Sequence, residues 1–332
     1  MAASLFTGGE RVPASGRVMT VCGPITPDAL GHTVTSVHLV SDTVAAPDRG
    51  PVTMDLLGAL ALGTPNRDDR RLSEETARPE LADFAAQGGG TVVEVTGAGR
   101  EPRALARLAR DSGVNVVMGC GGCFPGQTSG SLAEEIVRDL HDGVDGVRAG
   151  VIGEIGALDP DRPADRALAM GVADAARRTG APVLIDRAAT AATTHALLDL
   201  LDACGADLGR VAVGHCDGLA TDVGSLAALA DRGVFVQFDG LGRLPSVYSE
   251  VDDQDVAAAV LALAERGHAE RVLLSPDVSR KIHLKAFGGG GYGFVAEQFV
   301  PYLRYLGADD ALLRALTAAN PRRWLTVTED LG

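Results

Sequence analysis

Short β-branched and aliphatic runs alternate along this chain with Ala-, Leu- and Arg-rich stretches whose apolar residues recur at helical spacing. The runs at 32–39, 91–95, 115–119, 149–154, 182–186, 210–215, 234–238 and 271–275 have the length and composition of strands in a parallel sheet. The stretches 74–86, 101–112, 131–141, 163–179, 193–204, 222–231 and 253–266 lie between them, and 294–306 follows the last. Eight strand–helix units in order predict the α/β class and a (β/α)8 TIM barrel. An open doubly wound sheet gives a similar alternation, but no Gly-x-Gly-x-x-Gly fingerprint follows the first run. No Ser/Pro/Gly-rich linker divides the chain, so a single domain over 1–332 is expected, with an N-terminal lead at 1–30, an insertion at about 45–72 and a C-terminal helix at about 309–317.

Composition narrows the function classes. The chain has 46% hydrophobic and 22% charged residues and no apolar run long enough to span a bilayer, which predicts a soluble protein with no membrane partner. A formal net charge of −14 leaves no basic patch for a phosphate backbone and argues against nucleic acid, while a small-molecule substrate remains compatible. The first 17 residues lack the apolar core of a secretory signal, and five cysteines form an odd, scattered set. A cytoplasmic location is expected.

Barrel enzymes carry their chemistry at the C-terminal ends of the strands. Those positions are His38, Glu94, Cys120, Glu154, Asp186, His215, Asp239 and Asp277. Singly, each Asp also suits the N-cap of the following helix. As a set, carboxylates closing apolar strands are costly to bury without a shared cation, which points to a divalent metal.

Four stretches carry a family resemblance: Gly23-Pro24-Ile25 with Leu30-Gly31; Arg148 through Gly156, reading RAGVIGEIG; Val213-Gly214-His215-Cys216-Asp217; and Leu274-Ser275-Pro276-Asp277 running to Lys285-Ala286-Phe287-Gly288-Gly289 and Gly291-Tyr292. With Asn320-Pro321-Arg322-Arg323 near the end, the chain resembles the phosphotriesterase-related branch of the amidohydrolase superfamily. The resemblance implies a two-metal site, zinc being the expected ion, and a homodimer. Its ligands would be a His-x-His pair on the first strand, a bridging carboxylate on the fourth, histidines on the fifth and sixth, and an Asp on the eighth that handles the proton.

Carried over residue by residue, His38, Glu154, His215 and Asp277 match as metal ligands, the last three also as catalytic residues. Ser36 stands where the first histidine belongs, and Asp186 where the strand-five histidine belongs. Asp186 still suits a divalent ion, whereas a neutral serine hydroxyl is a poor zinc ligand. One ion, two, or an ion-free set of imidazolium–carboxylate pairs fit this altered list.

The loops supply the substrate-binding candidates: Ser36, Cys120, Cys123, Arg187, Arg280, His283, Lys285 and Tyr292. Cys120 and Cys123 form a Cys-x-x-Cys, but without a second pair or a thioredoxin-like context they read as small residues lining a pocket or as buried thiols. The Gly-rich 288–291 stretch lacks a Walker pattern, and Lys285, Arg280 and Tyr292 around it suit a substrate carboxylate or carbonyl. Three functions follow: a metal-dependent hydrolase of a lactone, ester or amide; a non-hydrolytic cyclase- or isomerase-type enzyme with few or no metals; and a non-catalytic binding protein.

Overall fold

The structure is a computed structural model and describes residues 16–42, 46–97, 99–122, 128–244, 249 and 251–327. A small antiparallel hairpin, β1 (Val18–Thr20) and β2 (Gly23–Ile25), precedes the main sheet. That sheet has eight strands: β3 (His32–Val37), β4 (Gly89–Glu94), β5 (Asn115–Cys120), β6 (Val151–Ile155), β7 (Val183–Asp186), β8 (Val211–Gly214), β9 (Phe235–Phe238) and β10 (Val272–Leu274). All neighbours run parallel in sequence order. Each of the eight strand windows read from the sequence overlaps one of these strands.

The helices alternate as expected: α1 (Leu57–Ala61) in the insertion, then α2 (Glu74–Ala86), α3 (Pro102–Ser112), α4 (Ser129–His141), α5 (Pro163–Thr179), α6 (Ala191–Ala203), α7 (Val223–Asp231) and α8 (Asp253–Glu265). The expected 294–306 helix divides into a π-helical turn over Val295–Phe299 and α9 (Val300–Tyr305). The C-terminal segment likewise runs as α10 (Asp310–Arg314), a π turn over Ala315–Ala319, and α11 (Asn320–Leu325). No helix among the described residues is long and apolar enough to cross a membrane.

Period-two alternation builds two separate cores. Val93, Val117, Val151, Leu184, Ala212, Phe235 and Leu273 fill the barrel interior, while Val92, Val116, Ile152, Val183, Val213 and Val236 face the helices. Val18, Leu30, Trp324 and Leu325 join the interior cluster, so the hairpin and α11 cover the end where the strands begin. Trp324 Nε1 donates to the Arg210 carbonyl at 3.2 Å, just before β8. The opposite end stays open for chemistry.

The last and first strands meet through side chains. Ser36 N donates to Ser275 Oγ at 2.8 Å, and that hydroxyl donates to the Ser36 carbonyl at 2.6 Å. His38 N donates to the Val278 carbonyl at 3.0 Å, which carries the seam to the mouth. A Cβ on Gly119 would stand 2.0 Å from the Gly153 carbonyl oxygen, so the approach of β5 to β6 requires glycine there.

Candidate active site

A cavity of about 590 Å³ opens among the loops at the C-terminal end of the strands, within the usual range for small-ligand sites. His215 and Asp277 line it from the barrel side. Leu57, Ala61 and Arg70 line it from the insertion, which is tied to the eighth loop by ion pairs from Asp69 to Arg280 and from Asp68 to Lys281.

His215 follows β8 in the left-handed region, at φ 56, a conformation that costs a non-glycine residue about 1–3 kcal/mol. Two groups hold it there. Its backbone N–H donates to the Asp239 carboxylate, and its carbonyl accepts from Arg187 Nε at 2.7 Å. Its Nδ1 donates to Asp239 Oδ1 at 2.8 Å, because a carboxylate in that contact can only accept. Asp239 is fully buried and is locked in turn by Gln237 Nε2 at 2.8 Å. Nε2 of His215 therefore faces the mouth, 3.4 Å from Asp186 Oδ1 and 3.7 Å from Glu154 Oε1.

His38 is held differently. Its Nδ1 lies 2.9 Å from Thr96 Oγ1, and its Nε2 lies 3.3 Å from Asp277 Oδ1. Asp277 also has a left-handed backbone, at φ 36, and its Oδ2 is taken by Arg243.

The charges respond to this crowding. The Asp239 hydrogen bond raises the His215 pKa to about 10 against the opposing effect of burial. Burial also opposes the charge on His38, but Asp277, aided by Glu94 and Glu154, outweighs it and lifts the pKa to about 9. Burial, then the nearby Asp186 and Asp277, pushes Glu154 up to about 8. Asp186 rises to about 6, chiefly by burial.

The arrangement suits a cation. Among the described residues, Glu154 Oε1, Asp186 Oδ1 and Asp277 Oδ1 are buried carboxylate oxygens with no hydrogen-bond partner, each within 3.3–3.7 Å of an imidazole nitrogen. Leaving such atoms unpaired is expensive, and a divalent ion satisfies hard oxygens together with imidazole nitrogen. Glu154, His215 and Asp239 also bring ligand atoms within 4.8 Å of one another. Because Asp239 already holds Nδ1 of His215, it orients the ring, while Glu154, Asp186 and Nε2 remain free to bind an ion.

The substrate-binding candidates divide. Arg280 and His283 line the cavity, though the Arg280 guanidinium is occupied by Asp69 and by the Leu60 carbonyl. Burial and the neighbouring Arg243 depress the His283 pKa to about 4, so its ring is neutral. Five candidates lie elsewhere. Ser36 is fully buried, with its backbone on the seam and its Oγ unpartnered. Cys120 shares the outer face with Val116 and Met118, because the period of two gives the inner position to Gly119. Glu94 Oε1 accepts from Leu39 N and Thr96 N, and its carboxylate lies near enough to His38 to help raise that imidazole's pKa. Arg187 supports the His215 backbone. Lys285 pairs with Asp83 and Glu297, and the buried Tyr292 hydroxyl donates to the His38 carbonyl at 2.9 Å. Cys123 lies outside the described residues.

Several residues that contribute here carried little signal in the sequence. Thr96, Arg70 and Arg243 sit in loops whose direction no periodicity fixes. Gln237 and Asp239 were more legible, since they are polar residues alternating with Val236 and Phe238.

Comparison with known proteins agrees with this geometry. The sequence profile of the Phosphotriesterase family matches residues 16–325. The N-acetyltaurine hydrolase of Salmo salar is 30% identical over 346 residues, covering 94% of this chain and 98% of the relative. Its human counterpart of the same name is 28% identical over 343 residues, with the same coverage. Among solved structures, a resiniferatoxin-binding protein from Rhodobacter sphaeroides is similar with a TM-score of 0.86 and 35% identity, over 93% of this chain and 95% of that one. The phosphotriesterase homology protein of Escherichia coli, solved with phosphate in its active site, has a TM-score of 0.76 and 32% identity, over 90% and 99%.

Proposed function

This chain belongs to the phosphotriesterase family and is a hydrolase, and we propose that it hydrolyses a small carbonyl substrate, an N-acyl amide before a lactone or ester, with the help of a divalent metal ion. Three unpartnered, buried carboxylate oxygens facing two imidazoles beside the cavity are the observation that carries this reading. The amide is favoured because relatives named N-acetyltaurine hydrolase match 94% of the chain.

Glu154, Asp186 and His215 would hold the ion, with His38 and Asp277 beside them, and Ser36 supplies no imidazole to a second site. An ion so held supplies Lewis-acid polarisation of the carbonyl and eases ionisation of water. Asp277 takes the proton from the attacking water on Oδ1, because Arg243 occupies Oδ2. As the oxygen–carbon bond forms and the carbon–nitrogen bond breaks, Asp277 returns that proton to the leaving nitrogen. His38 Nε2, 3.3 Å from Oδ1, steadies the carboxylate between these transfers.

Elemental analysis of the purified protein tests the metal, read together with hydrolysis of N-acetyltaurine and simple lactones by wild type and Glu154→Gln. Stoichiometric metal, lost together with activity in the variant, is the expected result. Wild type that holds no divalent ion, and neither binds nor is activated by added zinc or manganese, would falsify the metal-dependent reading.

A further inference from the structure

Three arginines line the cavity: Arg70, Arg243 and Arg280. Arg280 is neutralised by Asp69, whose Oδ2 accepts from Nε at 2.6 Å, and Arg243 is neutralised by Asp277. Arg70 is half-buried, and among the described residues its side chain makes no ion pair and no hydrogen bond. Burial, then the neighbouring Arg280, presses its pKa downward against a smaller opposing pull from Asp69, so its charge is held where charge is costly.

The mount of Arg70 is rigid. Its N–H donates to the Arg67 carbonyl at 3.0 Å, closing a turn. The adjacent Asp69, fully buried, accepts from Ile282 N at 3.2 Å, while its carbonyl accepts from Lys281 N at 2.8 Å. The fixed turn sets where the side chain leaves the backbone, and its planar guanidinium offers bidentate contact to an oxyanion. A chain of net charge −14 repels an anionic ligand at most of its surface, so such a ligand requires a local cation. Leu57, Ala61 and Phe287 line the same cavity and offer apolar contact to the rest of the molecule.

We infer that Arg70 selects the substrate: it binds a carboxylate or sulfonate carried by a small N-acyl amide, away from the scissile carbonyl. This inference rests on the hydrolase reading above and names its substrate class. The test compares wild type, Arg70→Gln and Arg70→Lys, each as the full chain loaded with divalent ion, on N-acetyltaurine, N-acetyl-β-alanine and the neutral N-acetylethanolamine. Calorimetric titration with propane-1-sulfonate and with butyrate, which have no bond to cleave, runs beside the kinetics.

Arg70→Gln is expected to raise KM for the anionic amides by about 10–100-fold, with a much smaller change in kcat. The loss for the anionic amides should exceed that for the neutral one by at least about tenfold, and Arg70→Lys should recover part of it. The relative losses for sulfonate and carboxylate identify which oxyanion the site prefers. An equal loss on all three amides, or an unchanged preference in Arg70→Gln, overturns the inference while leaving the hydrolase reading intact. If wild type cleaves none of the amides, lactones or esters, the hydrolase reading fails and calorimetry alone decides. Equal affinity of wild type and Arg70→Gln for both anions then overturns the role of Arg70.

Discussion

The two imidazoles at the mouth are held by different kinds of partner. His215 donates Nδ1–H to a fully buried carboxylate, which Gln237 fixes in turn, so its ring has one direction, with Nε2 toward Asp186 and Glu154. His38 rests on the hydroxyl of Thr96 and faces an aspartate whose other oxygen is taken by Arg243. The half with the buried carboxylate keeps the full apparatus of an ion-binding histidine. In the other half Ser36 replaces a potential donor and a guanidinium already balances the acid. The mouth is therefore lopsided, and the proposed ion would be held on the His215 side.

The sharpest test of that asymmetry removes the proton-handling group between the halves. Asp277→Asn should lower kcat by about 10²–10⁴-fold, measured on the best substrate found, with far-ultraviolet circular dichroism unchanged. An activity within tenfold of wild type would remove Asp277 from the chemistry.

Next in size is the contrast between the two orienting groups. Asp239→Asn should cost about 10–100-fold in metal affinity, read by competition with a chelating dye. Thr96→Val should cost only about fivefold in kcat/KM, the scale of one neutral hydrogen bond. Equal losses would mean that the halves are equivalent after all. Ser36→His offers the converse experiment: metal per chain, counted by elemental analysis, should rise from about one to about two. No increase would show that the His38 side lacks more than one ligand.

The smallest effect concerns pH. Asp186, Glu154, His38 and His215 all have folded-state pKa values above their ordinary ones, at about 6, 8, 9 and 10. These four groups therefore hold more protons in the folded, metal-free protein than in the unfolded chain between about pH 4 and 10, and the stability they contribute falls as pH rises through that window, opposed below about pH 6.5 by the depressed His32 and His283. Tm of chelator-treated protein should drop by several degrees between pH 5 and 9. A bound divalent ion should reverse the slope, since it favours the deprotonated carboxylates and imidazoles. A flat profile without metal would argue that the carboxylates are better solvated than their burial implies.

Much of the fold was legible because burial on both faces leaves strand windows that composition alone identifies. All eight barrel strands overlap the windows so read, to within two residues at either end, and α2 and α5 have the expected bounds. The three-residue strands β1 and β2 escaped notice, being too short to show a period. The π turns at 295–299 and 315–319 look helical in sequence because side-chain spacing barely changes when one hydrogen bond shifts. In the site, His38, Glu154, Asp186, His215 and Asp277 followed from strand ends, and they do gather at one mouth. Cys120 did not, because a strand's last residue faces inward or outward according to its register, and this one shares its parity with Met118.

The sequence by itself determined the eight barrel strands, their order, and which acidic and imidazole groups terminate them, because a period of two and the cost of burying charge act locally along the chain. Tertiary structure decided which nitrogen of each histidine faces the mouth, which carboxylate oxygens lack a hydrogen-bond partner among the described residues, and which of the three cavity arginines forms no ion pair there. Those properties depend on contacts between residues as distant in sequence as Asp69 and Arg280, or Arg243 and Asp277, and only closure of the barrel brings them together.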